Sequence, residues 1–169
     1  MIASAMARRF MGLQYLPLAL ALAAGSGAAV AGAVREGDLI LSVPLHDPEM
    51  QAATGRARAE LARFFERLAD PAADEGEFML AYDIVPGKEE ELVWVYRLSR
   101  SPTSVAGVLL SQPQRARASA GDRVTVAEAE IVDWAYRKGA VMQGGYTYRV
   151  LIGRMPRDES AMLREYLGW

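Results

Sequence analysis

The apolar residues of this chain change period after Asp70-Pro71, and that change decides the fold class. Met50, Ala53, Ala57, Leu61, Phe64 and Leu68 recur at three and four residues, with Arg56, Glu60, Arg63 and Arg67 on the other side. This spacing predicts an amphipathic helix of about five turns, capped by Asp47, opened by Pro48 and closed at Asp70-Pro71. From Phe78 the period is two: Phe78, Leu80, Tyr82 and Ile84 alternate with Glu77, Met79, Ala81 and Asp83. After Pro86-Gly87, Leu92, Trp94, Tyr96 and Leu98 alternate with Val93, Val95 and Arg97. The two runs predict a hairpin with aromatic pairs on one face. Ser104–Leu110, Arg123–Val126 and Ile131–Tyr136 read as further strands, and Gln112–Gly121 as a loop. Tyr146–Met155 has mixed periodicity and is compatible with strand or helix, while Pro156-Arg157-Asp158-Glu159 opens a short helix to about Leu167. The expected architecture is α+β: a long helix on one face of a bent, mostly antiparallel sheet of about five strands, with a short carboxy-terminal helix. Closure into a partly open barrel is the variant of the same reading.

The amino terminus obeys a different logic. Arg8 and Arg9 precede an apolar run from Leu13 to Ala24, and small residues follow to Ala29-Val30-Ala31. This is the layout of a secretory signal peptide, with cleavage expected before Gly32. Pro17, Gly25 and Gly27 interrupt the stretch, which falls short of the roughly 20 apolar residues that span a bilayer. The expectation is therefore a periplasmic or secreted protein, with Gly32–His46 as a lead-in to one domain over Asp47–Trp169. An uncleaved segment anchoring the chain to the inner membrane is the alternative. The chain has no cysteine, which removes both a lipid-attachment residue and disulfide support. Cleavage would take away Arg8 and Arg9 and leave 17 basic against 21 acidic residues, a net charge near −4. No basic stripe marks a nucleic-acid partner.

Few residues point to chemistry. His46, the sole histidine, sits in a capping segment, and no Gly-x-Ser-x-Gly elbow accompanies it. One histidine and no cysteine cannot make a zinc site, "DPAADEG" lacks the spacing of a calcium loop, and "GDRVTVAEAE" is not a phosphate loop. No metal or cofactor is expected. Acids remain available: Glu128 and Glu130 share one side of an extended segment, and Glu89-Glu90-Glu91 is an acidic knot.

The densest stretch is "VDWAYRKGAVMQGGYTYRVL", Val132 to Leu151. By strand parity Trp134 and Tyr136 share a side with Val132, and Asp133 points to the other. Gly144-Gly145 permits positive φ or a close approach. Thr147 and Arg149 share parity, which places Arg149 to fork onto Asp133. Two readings use these parts. One is a tight turn locked by an Asp–Arg pair under aromatic rings. The other is an aromatic-walled groove, between the Glu91–Leu98 strand and the Asp133–Arg149 turn, with a positive anchor for a carboxylate or peptide end. The candidate binding residues are Trp94, Asp133, Trp134, Gly145, Tyr146, Thr147 and Arg149.

"DPEMQAATGRARAELARFFERL", "ELVWVYRL", "GVLLSQP", "GDRVTV" and "IVDWAYRKGAVMQGGYTYRVL" together resemble DUF2314, the YegJ-like bacterial proteins, from about Asp47 to Met155. The resemblance implies an α+β domain and, in exported members, a periplasmic location; it implies no activity. Leu92 stands where the family often has histidine, and Ser111-Gln112-Pro113 where it often has Asn-Glu-Pro. A chain that keeps the turn and lacks those titratable groups is expected to bind a peptide or protein partner without catalysis. A hydrolase using Glu91 or Asp133, and a small inhibitor or immunity-type protein, are the alternatives.

Overall fold

The computed structural model describes residues 43–87 and 90–169. The expected signal peptide, its expected cleavage point and most of the expected lead-in lie outside the described residues. The Asp47 carboxylate accepts the N–H groups of Glu49 (2.9 Å) and Met50 (3.4 Å), and Pro48 takes the first helical position, so the first helix starts where the cap residues put it. The expected single helix is two. α1 spans Pro48–Ala59 and α2 spans Leu61–Ala69, with the break at Glu60. The Ala57 carbonyl, which a continuous helix would pair with the Leu61 N–H, receives the Trp134 indole N–H at 2.8 Å. A side chain entering the helical ladder is a sufficient cause for the break.

Among the described residues six strands follow, all paired antiparallel: β1 Glu75–Asp83, β2 Leu92–Arg100, β3 Ser104–Leu109, β4 Arg123–Ala127, β5 Ile131–Lys138 and β6 Val141–Gly144. Their order is β4-β3-β2-β1-β5-β6, an open sheet rather than a barrel. The sixth strand, four residues beyond the Gly139 turn, is too short for its alternation to be read from sequence. Tyr146–Arg154 forms α3 and Arg157–Leu167 forms α4. The fold class is α+β. No described helix is long and apolar enough to cross a membrane.

Helices pack on both faces of the sheet. Leu61, Phe64 and Phe65 of the first helical pair bury Leu80, Val93, Val95, Val126, Trp134 and Tyr136. Tyr148, Leu151, Ile152 and Leu167 of α3 and α4 bury Met79, Ala81, Trp94, Val132 and Met142 on the opposite face. Two side-chain expectations change with this register. Leu80 pairs with Val95 and Tyr82 with Val93, so Tyr82 lies opposite an aliphatic residue, and Trp94 and Tyr96, opposite Ala81 and Met79, face away from it. In β5 the register with β1 slips between Asp133 and Ile131. The resulting bulge puts Val132 and Trp134 in different cores, although their numbering gives them equal parity.

Candidate functional site

The Val132–Leu151 stretch is a hairpin, a glycine corner and a helix start. Gly145 adopts φ 63° and precedes α3 without a capping side chain of its own. Asp133, fully buried, supplies the missing acceptor from the neighbouring strand. Its carboxylate accepts the Thr147 N–H (2.8 Å) and Thr147 hydroxyl (2.6 Å) on one oxygen and the Trp134 N–H (2.8 Å) on the other. The negative group therefore sits at the helix amino terminus, where free N–H groups and the helix dipole favour it. At Gly144, a β-carbon would collide with the Trp134 carbonyl and indole ring, so only glycine lets β6 close over that ring.

Arg149 does not fork onto Asp133. Because Tyr146–Arg154 is a helix, Arg149 lies on its outer side, and the Asp133 oxygens are already occupied by Thr147 and Trp134. The Arg149 guanidinium instead donates to the Gly144 carbonyl (3.1 Å) and the Met142 carbonyl (3.4 Å) and lies 3.7 Å over the Trp169 ring. The Trp169 indole N–H donates to Met142 at 2.7 Å. These carbonyls point away from β5, so Arg149 and the terminal tryptophan cap an edge strand that would otherwise expose free acceptors.

The groove expected between β2 and this corner is filled. Trp94, Ala135, Met142, Gly145, Tyr148, Leu167 and Trp169 close on one another and leave only about 10 Å³. Trp94 and Trp134 are each 3% exposed and lie on opposite faces of the sheet, so no common groove contains both. Glu91 is also withdrawn from solvent: its two oxygens accept the Gln114 (2.6 Å) and Arg115 (2.9 Å) N–H groups and hold the following loop. His46 stands on the surface, 3.6 Å from Glu90. Among the described residues no cluster of three acids or histidines has the arrangement of a metal site.

Two of the seven candidate residues do meet at an open concavity. Tyr146 and Arg149 line a groove of about 630 Å³ between α1 and α3, with Glu49, Ala52, Ala53, Arg56, Val150, Gly153 and Arg154. Small side chains keep the floor of the groove open and three arginines border it. Arg154 is held by Asp47 (2.8 Å) and Glu49 (2.5 Å), whereas the Arg56 side chain has no ion pair among the described residues. Tyr146 closes one end, its hydroxyl donating to Glu60 at 2.7 Å and its ring standing edge-on to Trp134. Burial and the adjacent Glu60 carboxylate push this phenol up to about 12, so it stays a neutral donor. Sequence alone does not single out Arg56 and Arg154. They lie on the polar side of helices, and only the helix pairing shows that they border one groove.

Burial pushes the Asp133 carboxyl up to about 6, against the opposing pull of Thr147 and Trp134. The native state thus keeps this proton up to about pH 6, while an unfolded aspartate loses it near pH 3.9. In that window the native state binds more protons, so this group's contribution to stability falls as pH rises from about 4 to about 6 and is constant above. The full span is about 3 kcal/mol. The carbon-13 carboxyl resonance of Asp133 is expected to titrate near pH 6; a midpoint below 4 would show that the three donors outweigh burial.

Among family models, one described as an uncharacterised protein conserved in bacteria matches residues 47–169. No curated protein and no solved structure matches the chain.

Proposed function

The chain belongs to the DUF2314 family, and on that premise we propose that it is a non-enzymatic binding module that holds a carboxylate-bearing segment of a peptide or protein partner in the α1–α3 groove. The observation behind this reading is the groove itself: three arginines against one glutamate around a floor of Ala52, Ala53 and Gly153. Arg56 has no carboxylate partner among the described residues and Arg149 is spent on backbone carbonyls and a ring, so neither charge is neutralised by an acid there. A ligand carboxylate would supply that acid, and a bidentate guanidinium contact would give it direction. The two acids with the strongest claim to hydrolytic chemistry, Glu91 and Asp133, are occupied by backbone donors and closed off from solvent. The signal-peptide features of Met1–Ala31 place the module, in this reading, in the periplasm or outside the cell.

The test is selection of peptides from a random display library on the exported chain. Enriched ligands are expected to share a carboxylate at one position. Arg56→Glu, or Ala52→Trp to fill the groove, is expected to weaken them by about tenfold or more, as the loss of one charge-assisted contact predicts, with an unchanged melting temperature. Equal binding of the selected peptides by both variants would remove the groove as the site.

A further inference from the structure

We infer that the outer edge of β4 is a strand-addition site for an extended, acidic segment of a partner protein. This surface lies apart from the α1–α3 groove and does not depend on the reading of that groove.

The ladder between β3 and β4 is bracketed by two bonds, Leu109 N–H to the Asp122 carbonyl (2.9 Å) and Glu128 N–H to the Thr103 carbonyl (3.0 Å). Antiparallel pairing alternates, so Val124 and Val126 turn their peptide groups toward β3, while Arg123, Thr125 and Ala127 turn theirs outward. The Ala127 N–H is taken by the Glu130 carboxylate at 3.1 Å. The N–H and C=O groups of Arg123 and Thr125 have no partner among the described residues, and no strand pairs on that side. The opposite edge of the same sheet is treated differently. There the outward carbonyls of Met142 and Gly144 are capped by Arg149 and Trp169. One edge is closed by its own side chains and the other is left ready for pairing.

The face beside the open edge states the chemistry of the occupant. Arg97, Ser99, Ala106, Val108, Arg123 and Thr125 line a shallow concavity of about 380 Å³ on a part of the sheet that α3 and α4 leave uncovered. Arg97 reaches it from a bulge of β2, at φ 53°, a conformation a non-glycine residue rarely adopts. Neither Arg97 nor Arg123 forms an ion pair among the described residues, and no carboxylate lines the concavity. A strand added to β4 places every second side chain beside Arg123, on the face where Arg97 lies two strands further in, so acids at alternate positions complement that basic face and β-branched residues suit the positions between. A second copy of this chain joined through the same edge would add two more arginines to that face and no acid.

The probe is a capped synthetic peptide, Thr-Glu-Val-Glu-Val-Glu-Thr, titrated into the nitrogen-15-labelled chain. Binding is expected to shift and protect from exchange the Arg123 and Thr125 amides. Replacing the three glutamates by lysines should weaken it by about tenfold or more, as should N-methylation of the peptide at alternate backbone positions. Thr125→Pro removes an outward N–H that β3 does not use and should abolish binding. The methylated peptide tests the same bond with the protein unaltered. Equal binding of the glutamate and lysine peptides would overturn the inference, and so would protection confined to other strands. A concentration-dependent dimer that Thr125→Pro dissolves and the peptide cannot enter would also overturn it, assigning the edge to a second copy.

Discussion

Asp133→Ala is expected to lower the stability of the native state by about 3–5 kcal/mol, a large part of the roughly 5–15 kcal/mol that holds a domain of this size together. Three donors converge on that carboxylate, from the Trp134 amide, the Thr147 amide and the Thr147 hydroxyl, and none is near solvent. A buried donor left without an acceptor costs about 1–3 kcal/mol, and the change also removes the acceptor that starts α3. Asp133→Asn should fall between the wild type and the alanine variant, because an amide oxygen can serve Thr147 while its NH₂ group then opposes the Trp134 N–H. Urea unfolding of both variants, followed by tryptophan fluorescence, measures this directly. A loss under about 1 kcal/mol for alanine would mean that the acid is not part of the fold's support.

Trp134→Ala should cost a similar amount, about 3–5 kcal/mol, by opening a large cavity between β5 and the first helical pair. The indole stacks on Phe64 at 5.2 Å and on Tyr136 at 6.0 Å, meets Tyr146 edge-on at 5.7 Å, and donates to the Ala57 carbonyl. Trp134→Phe keeps most of the ring contact and removes only the N–H bond, so a loss of about 1–2 kcal/mol is expected. Calorimetry of the two variants separates packing from the hydrogen bond. Equal losses would show that the Ala57 contact, and not the ring, holds α1 against the sheet.

Much of this fold is legible in the sequence because it follows from short-range rules. Asp47-Pro48 starts a helix wherever it precedes a three-four apolar repeat, and the runs at Leu92, Ser104 and Ile131 have the alternation of strands. What sequence does not show depends on contacts between distant segments. The break at Glu60 is answered by an indole 77 positions later than Ala57. The parity of Val132 misleads because of a bulge that exists only in the pairing with β1. Tyr146–Arg154 reads ambiguously because its helix is capped from another strand and not by a residue of its own. The candidate site divides along the same line. Asp133, Trp134, Gly145 and Thr147 stand together as expected, but as support, while Tyr146 and Arg149 reach an open groove completed by Arg56 and Arg154 of unrelated sequence context.

The Asp-Trp…Gly-Gly-Tyr-Thr signature is thus an internal lock of the fold. Native-state hydrogen exchange of two protons tests this most directly: the Trp134 indole N–H and the Thr147 amide N–H. Both are predicted to exchange only through global unfolding, with an opening free energy equal to that from urea titration. Exchange of either through a local opening several kcal/mol cheaper would contradict the lock and make the signature the border of an accessible site.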